Sequence, residues 1–328
     1  MEKLVKLITD SRVLLNEYNN EWTKKYKAYA DAIINGSFIN DRKKFKERFP
    51  LTVYLPVGDA REEHPSYSIR YLGNFIGKLK YYDIAAKGGM VLTLDKSIPD
   101  LKLEKGQHSW TKVATVISNY YKEKYNNVIS KTSEHNAESI IINVLRQTVK
   151  ENKPLSGVQP VLLNGMPMQV PVPLKASTGT PKYIGNQSGQ GHIDILIRNS
   201  KTRLSVIELK RPGKVKSKHK PIEQSIIYAA YLSILLREKT LCGNWWKLFG
   251  FKNVPPSEKT GLTINSVCML SDENEYFRLL KNYGITKDNY NEKRVIEIEG
   301  TNDKINLGYI IYTIKNNKEI NIQANFHK

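Results

Sequence analysis

Two short apolar runs in the middle of the chain, HIDILI (192–197) and LSVIELK (204–210), constrain its fold most. Both are dense in Ile, Leu and Val, which suit a pleated, buried strand. Asn199-Ser200 between them reads as a turn. Each run nevertheless carries charge: Asp194 in the first, Glu208 and Lys210 in the second. An unpartnered acid in a buried strand is costly. Residues two apart on a strand share a face, so Glu208 and Lys210 point the same way. Pairing the runs through the turn sets Asp194 beside Glu208. Two carboxylates and an amine are therefore expected on one patch.

The flanking segments predict what surrounds that hairpin. Ser133–Val149 reads as a helix with Ser133 as N-cap and a stripe of Ile141, Ile142, Leu145 and Val149. Residues 154–191 are rich in Pro and Gly and hold one expected strand, Met168–Leu174. After the hairpin come a basic loop (211–221), an apolar helix (Glu223–Arg237) and a strand over 262–270. Helices alternating with strands predict an α/β layer. Upstream, residues 2–34 have helical spacing and 41–49 suggest a short helix. LTVYL, YSIRYL, FIGKLKYY and MVLTL then read as strands, and Trp110–Tyr125 as a helix. The C-terminal runs form a hairpin across Lys315–Lys318. The expected fold is α/β: a mixed β-sheet flanked by helices over residues 131–328, with an N-terminal α+β region over residues 1–130. That region would select substrate, regulate or oligomerise.

Charge narrows the partner. The formal net charge is +19 over 328 residues, part of which a Lys-, Asn-, Ile- and Tyr-rich composition alone would produce. Its distribution says more: residues 131–240 hold 17 basic against 7 acidic residues, and within 201–220 Glu208 is the lone acid among eight bases. A nucleic acid is the favoured partner. Arg211, Lys214, Lys216, Lys218 and Lys220 beside the acids, with His192, are expected phosphate contacts. Cys242 and Cys268 form no CxxC pair, which excludes a Cys-rich zinc module and a disulfide scaffold and suits a reducing cytoplasm. The charged N-terminal stretch does not read as a secretory signal. The longest apolar run, Ile226–Leu236, has 11 residues with Ser233 counted in, too few to span a bilayer, which needs roughly 20. No membrane partner is expected. Tyr18, Trp22, Tyr26 and Tyr29 recur at helical spacing and read as packing residues. GNQSGQG (185–191) lacks the Lys-Ser/Thr ending of a P-loop.

A patch of two acids in basic surroundings calls for a divalent cation. Mg²⁺ takes oxygen ligands, commonly one or two carboxylates plus phosphate oxygens. It would polarise a phosphate and lower the pKa of bound water, while Lys210 positions that water or offsets developing charge. Metal-dependent phosphodiester hydrolysis follows as the expected chemistry.

Asp194, 13 intervening residues, then Glu208-Leu209-Lys210, with Glu138 on a preceding helix and Gln224 on a following one, resembles the PD-(D/E)XK nuclease superfamily. The resemblance covers roughly residues 131–270; Ile193 stands where the family name has proline. It implies a restriction-endonuclease-like fold with Asp194, Glu208 and the Leu209 carbonyl as ligands of Mg²⁺, for which Mn²⁺ can substitute. Glu138 would bind the metal directly or through water, with Glu134 as a competing acid. Lys210 would position water, and Gln224 would contact the site or substrate. The implied activity is a DNA endonuclease of prokaryotic or phage-related restriction and antiviral defence. A repair or recombination nuclease and a non-cleaving binding protein with a vestigial site are the alternatives. A homodimer and an activating protein or small molecule are both compatible with the resemblance.

Overall fold

The helical spacing at the start of the chain folds as two helices instead of one: α1 (Glu2–Glu17) and α2 (Asn19–Asn35) meet at Tyr18. No glycine or proline marks the break. The Trp22 indole N–H donates to the Leu15 carbonyl at 2.8 Å, taking an acceptor that the interrupted helix leaves free. The structure, a computed structural model, describes residues 1–35, 49–56, 66–82, 89–96, 101, 103–124, 134–151, 159–163, 166–185, 191–198, 202–211, 220–315 and 319–325. Ser133, most of 41–49 and the turn 316–318 lie outside these residues.

The alternating runs that follow form an antiparallel meander of β1 (Leu51–Pro56), β2 (Ser66–Tyr71), β3 (Asn74–Tyr82), β4 (Gly89–Leu94) and β5 (Gly106–Ser109). Helix α3 (Trp110–Lys124) packs on β4 and β5. The β2–β3 turn places Leu72 at φ +48° and Gly73 at φ +78°, the left-handed pair that a two-residue hairpin loop needs. The turn abuts the start of α4 (Glu134–Lys150), where a Cβ on Gly73 would lie 1.8 Å from the His135 carbonyl oxygen. Gly73→Ala is therefore expected to cost about 2–4 kcal/mol in urea denaturation, through strain and displacement together. A loss below about 0.5 kcal/mol, the usual range of a neutral surface change, would mean that the hairpin is not seated there.

The described residues between 159 and 192 form short pieces: β6 (Gln159–Pro160), β7 (Leu162–Leu163), β8 (Met166–Gln169), β9 (Pro171–Val172), β10 (Leu174–Lys175), β11 (Lys182–Tyr183) and β12 (Gly191–His192). The single strand expected over Met168–Leu174 is thus divided among β8, β9 and β10. Pro171 and Pro173 have no N–H to give to a continuous ladder. Strand β8 runs parallel to β1 and carries β7, so the first sheet reads β5-β4-β3-β2-β1-β8-β7.

The second sheet holds the hairpin, β13 (Ile195–Arg198) and β14 (Arg203–Leu209). Next come α5 (Pro221–Leu235), α6 (Cys242–Leu248), β15 (Thr263–Leu270), α7 (Glu273–Leu280), α8 (Tyr290–Lys293), β16 (Val295–Glu297), β17 (Lys304–Lys315) and β18 (Glu319–Asn325). Its order is β16-β17-β15-β14-β13-β6, with β18 also on β17. Strands β6, β13 and β14 are successively antiparallel, and α5 carries the chain over to β15, parallel to β14. The fold is mixed α/β, with eight α-helices among the described residues. Strand alternation sorts the sheet's side chains. Ile195, Ile197, Ile207 and Leu209 pack with Ala137, Ile141 and Leu145 of α4, whereas Leu196, Leu204 and Val206 belong to the larger core that includes α5.

Helix α5 is apolar nearly all round because it is covered nearly all round. The sheet lies beneath it, α1 packs on it, and Trp22 and Tyr26 of α2 meet Tyr231 edge-on and tilted, with Tyr26 also against Trp245. The aromatic row on α2 is therefore packing, as its spacing predicts. Among the described residues, contacts cross the expected boundary at residue 130 in several places: α1 and α2 sit on the second sheet's helices, β7 and β8 extend the first sheet, and the β2–β3 turn meets α4. Among the described residues no helix is long and apolar enough to cross a membrane.

Candidate metal and phosphodiester site

The expected patch forms where β13 begins and β14 ends. HIDILI is not one strand: the chain bends at Asp194, between β12 and β13. Asp194 lies one step beyond the paired residues Ile195 and Ile207, alongside Glu208. Its Oδ2 accepts the Leu209 backbone N–H at 3.0 Å, which fixes the carboxylate at the strand end. Glu208 is 1% exposed. Lys210 follows on the same face, and its Nζ donates to Glu208 Oε1 at 2.8 Å, Leu209 O at 3.0 Å and Glu134 Oε1 at 3.0 Å. The Lys210 backbone is held on both sides, its N–H donating to Met269 O and its carbonyl accepting from the Tyr312 hydroxyl.

Burial sets the electrostatics. It pushes the Glu208 carboxyl up to about 7, against the opposing pull of Lys210. Burial raises Asp194 well above the usual carboxylate range, with Glu208 and Glu138 adding to the effect. Burial alone would lower the Lys210 ammonium; the Glu208, Asp194 and Glu134 carboxylates outweigh it, so the net direction is up. Lys210 therefore remains charged. A carboxyl whose folded value lies above its ordinary one contributes stability that is present below pH 4.5 and is lost as pH rises through 7. In EDTA the protein is expected to lose about 3 kcal/mol over that window from Glu208, with Asp194 acting in the same direction. Glu208→Gln should flatten the curve in urea titrations at successive pH values. An unchanged slope would remove Glu208 as its source.

The two acids on α4 divide their contacts. Glu134 meets Lys210. Glu138, buried, has Oε1 3.7 Å from Arg70 Nη1 and Oε2 3.8 Å from His135 Nδ1. It still acts on Asp194 and Glu208 electrostatically. Gln224, in the first turn of α5, is half-buried with its Nε2 3.5 Å from the Tyr228 hydroxyl. Burial raises that hydroxyl first, and Glu208 and Asp194 raise it further, so this turn of α5 faces the carboxylates. His192 is exposed on its own short strand, and Arg211 is half-buried. Lys220 caps α5 and lies 3.6 Å from Glu223. Lys214, Lys216 and Lys218 fall outside the described residues.

Arg70 and Tyr228 were not singled out from the sequence. Tyr228 is four residues after Gln224, on the same helical face. Arg70 carries no such signal, since its strand alternates as a half-exposed strand does.

A divalent cation fits this donor set in one respect and strains it in another. Glu208 Oε2 is buried with no hydrogen-bond partner among the described residues, although most buried polar atoms have one. Asp194 and the Leu209 carbonyl add oxygen donors, the hard ligand type Mg²⁺ requires. The Lys210 ammonium, however, already touches Glu208 and Leu209 oxygens, so it and a cation share the same acceptors. Among the described residues no three His, Cys, Asp or Glu side chains gather closely enough to hold a metal by themselves. The fit thus rests on two carboxylates and a backbone carbonyl. No family model, no curated protein and no solved structure matches this chain.

Proposed function

We propose that this chain is a divalent-cation-dependent nuclease of the PD-(D/E)XK kind that hydrolyses phosphodiester bonds in DNA. The observation that carries the reading is the Asp194–Glu208–Lys210 cluster, with a buried carboxylate oxygen that has no partner among the described residues. The order of helix, three antiparallel strands, helix and parallel strand around it supports a restriction-endonuclease-like core. The basic excess in residues 131–240 supports a polyanionic substrate.

Asp194, Glu208 and the Leu209 carbonyl would hold Mg²⁺ or Mn²⁺. The bound ion supplies a polarised phosphate and a more acidic water. Lys210 keeps its proton, so it acts as a donor at Nζ that orients the attacking water or a phosphate oxygen. It is not the base. The Leu209 N–H holds Asp194 in place for the cation. Gln224 and the basic residues around Arg211 and Lys220 steady the nucleic-acid backbone. A role in prokaryotic or phage-related defence extends this reading by resemblance alone.

Supercoiled and linear DNA incubated with the protein in Mg²⁺, Mn²⁺ or EDTA tests the reading. Cleavage in either metal and none in EDTA is the expected result. Binding in a gel shift without cleavage in any divalent metal would replace the nuclease with a binding protein.

A further inference from the structure

The first sheet reaches the candidate site through a polar contact. On β1 and β2, Leu51, Val53, Tyr67 and Ile69 enter the large core, while Thr52, Tyr54, Ser68 and Arg70 occupy the opposite face. Period-two alternation normally places such a face in water. Here it is buried. Tyr54 packs with Ala137 and Ile141 of α4, and Asn74 Nδ2 lies 3.4 Å from Asn136 Oδ1. The Gly73 turn touches the His135 carbonyl. Arg70 is held with its guanidinium carbon 4.5 Å from the Tyr54 ring centroid, a favourable cation–π distance. From there it faces Glu138, while Glu134, one turn earlier, serves Lys210.

The geometry points to Arg70 as a positioning residue that withholds Glu138 from the cation, so that docking of the first sheet on α4 limits cation affinity. This rests on the proposed cation site at Asp194 and Glu208 and names its regulation. With Arg70 in place, one Glu138 oxygen faces the guanidinium and the other faces the His135 ring. Without it, one more buried carboxylate is free to neutralise the divalent ion. Coupling is reciprocal: a partner that lifts the β2–β3 hairpin tightens cation binding, and a bound cation loosens the hairpin. The contact is mixed, with the Arg70–Glu138 and Asn74–Asn136 pairs beside the Tyr54 packing on α4.

Mn²⁺ binding to the full chain, followed by electron paramagnetic resonance, tests this. Arg70→Met is expected to bind Mn²⁺ about 10-fold more tightly than wild type, within the usual range of such couplings. Arg70→Gln should do the same and covers the case in which the Met variant does not fold. Arg70→Lys, which keeps the charge, should restore wild-type affinity. Adding Glu138→Gln to either neutral variant should abolish the gain. Affinity unchanged or weakened in the neutral variants, or a gain that persists without the Glu138 carboxylate, overturns the inference. Asp194→Asn separates the two failures: if it leaves Mn²⁺ binding intact, the cation site itself is wrong.

Discussion

Asp194→Asn is expected to abolish metal-dependent cleavage, by about 10³-fold or more, while leaving the protein as stable as wild type or more so. The two effects separate because the side chain does two things. Its Oδ2 accepts the Leu209 N–H, which an asparagine oxygen can also do. Its charge would serve the proposed cation and is otherwise unfavourable in the fold, since burial and the neighbouring Glu208 both oppose ionisation. Asparagine keeps the hydrogen bond and removes the charge. Thermal unfolding in EDTA beside a cleavage time course measures both. A variant that unfolds more readily and still cuts would reverse the assignment, making Asp194 structural.

Lys210→Met is expected to have the largest effect on stability. It removes the ammonium from Glu208, Glu134 and the Leu209 carbonyl at once. Breaking a buried pair on one side costs about 3–5 kcal/mol because the other charge remains. The cost should be near that figure at pH 8 and much smaller at pH 5.5. Glu208, lifted towards 7 even with the lysine present, takes up a proton below that value and needs no partner. Mg²⁺ at pH 8 should restore part of the loss by filling the place of the missing cation. Urea denaturation at both pH values, with and without Mg²⁺, checks the sign. Equal destabilisation at pH 5.5 and 8 would show that Lys210 acts through packing. Cleavage should be lost in this variant under all of these conditions.

The centre of the candidate site was legible in the sequence because its residues sit where they are costly. Asp194, Glu208 and Lys210 interrupt runs of Ile, Leu and Val, and strand periodicity alone puts Glu208 and Lys210 together. The contact between them follows that geometry. The stripe on α4 placed Glu138 towards the sheet, and it is buried there, yet the lysine contact belongs to Glu134. A stripe fixes a face but not which of two acids on it reaches a neighbour. Three features left no local mark. The helix break at Tyr18 depends on an indole from the next helix. The bend at Asp194 follows β12 pairing with β9 while β13 pairs with β14. Arg70 lies far upstream in a strand whose pattern suits solvent, and only the docking of the first sheet on α4 brings it to Glu138.

An anomalous difference map from crystals grown with Mn²⁺ tests the central claim most directly. A peak is expected bounded by the Asp194 carboxylate, Glu208 and the Leu209 carbonyl, at oxygen distances near the roughly 2.0–2.6 Å of hard divalent cations. A map at saturating Mn²⁺ with no peak there, and with Lys210 still bonded to Glu208 and Leu209, would contradict it.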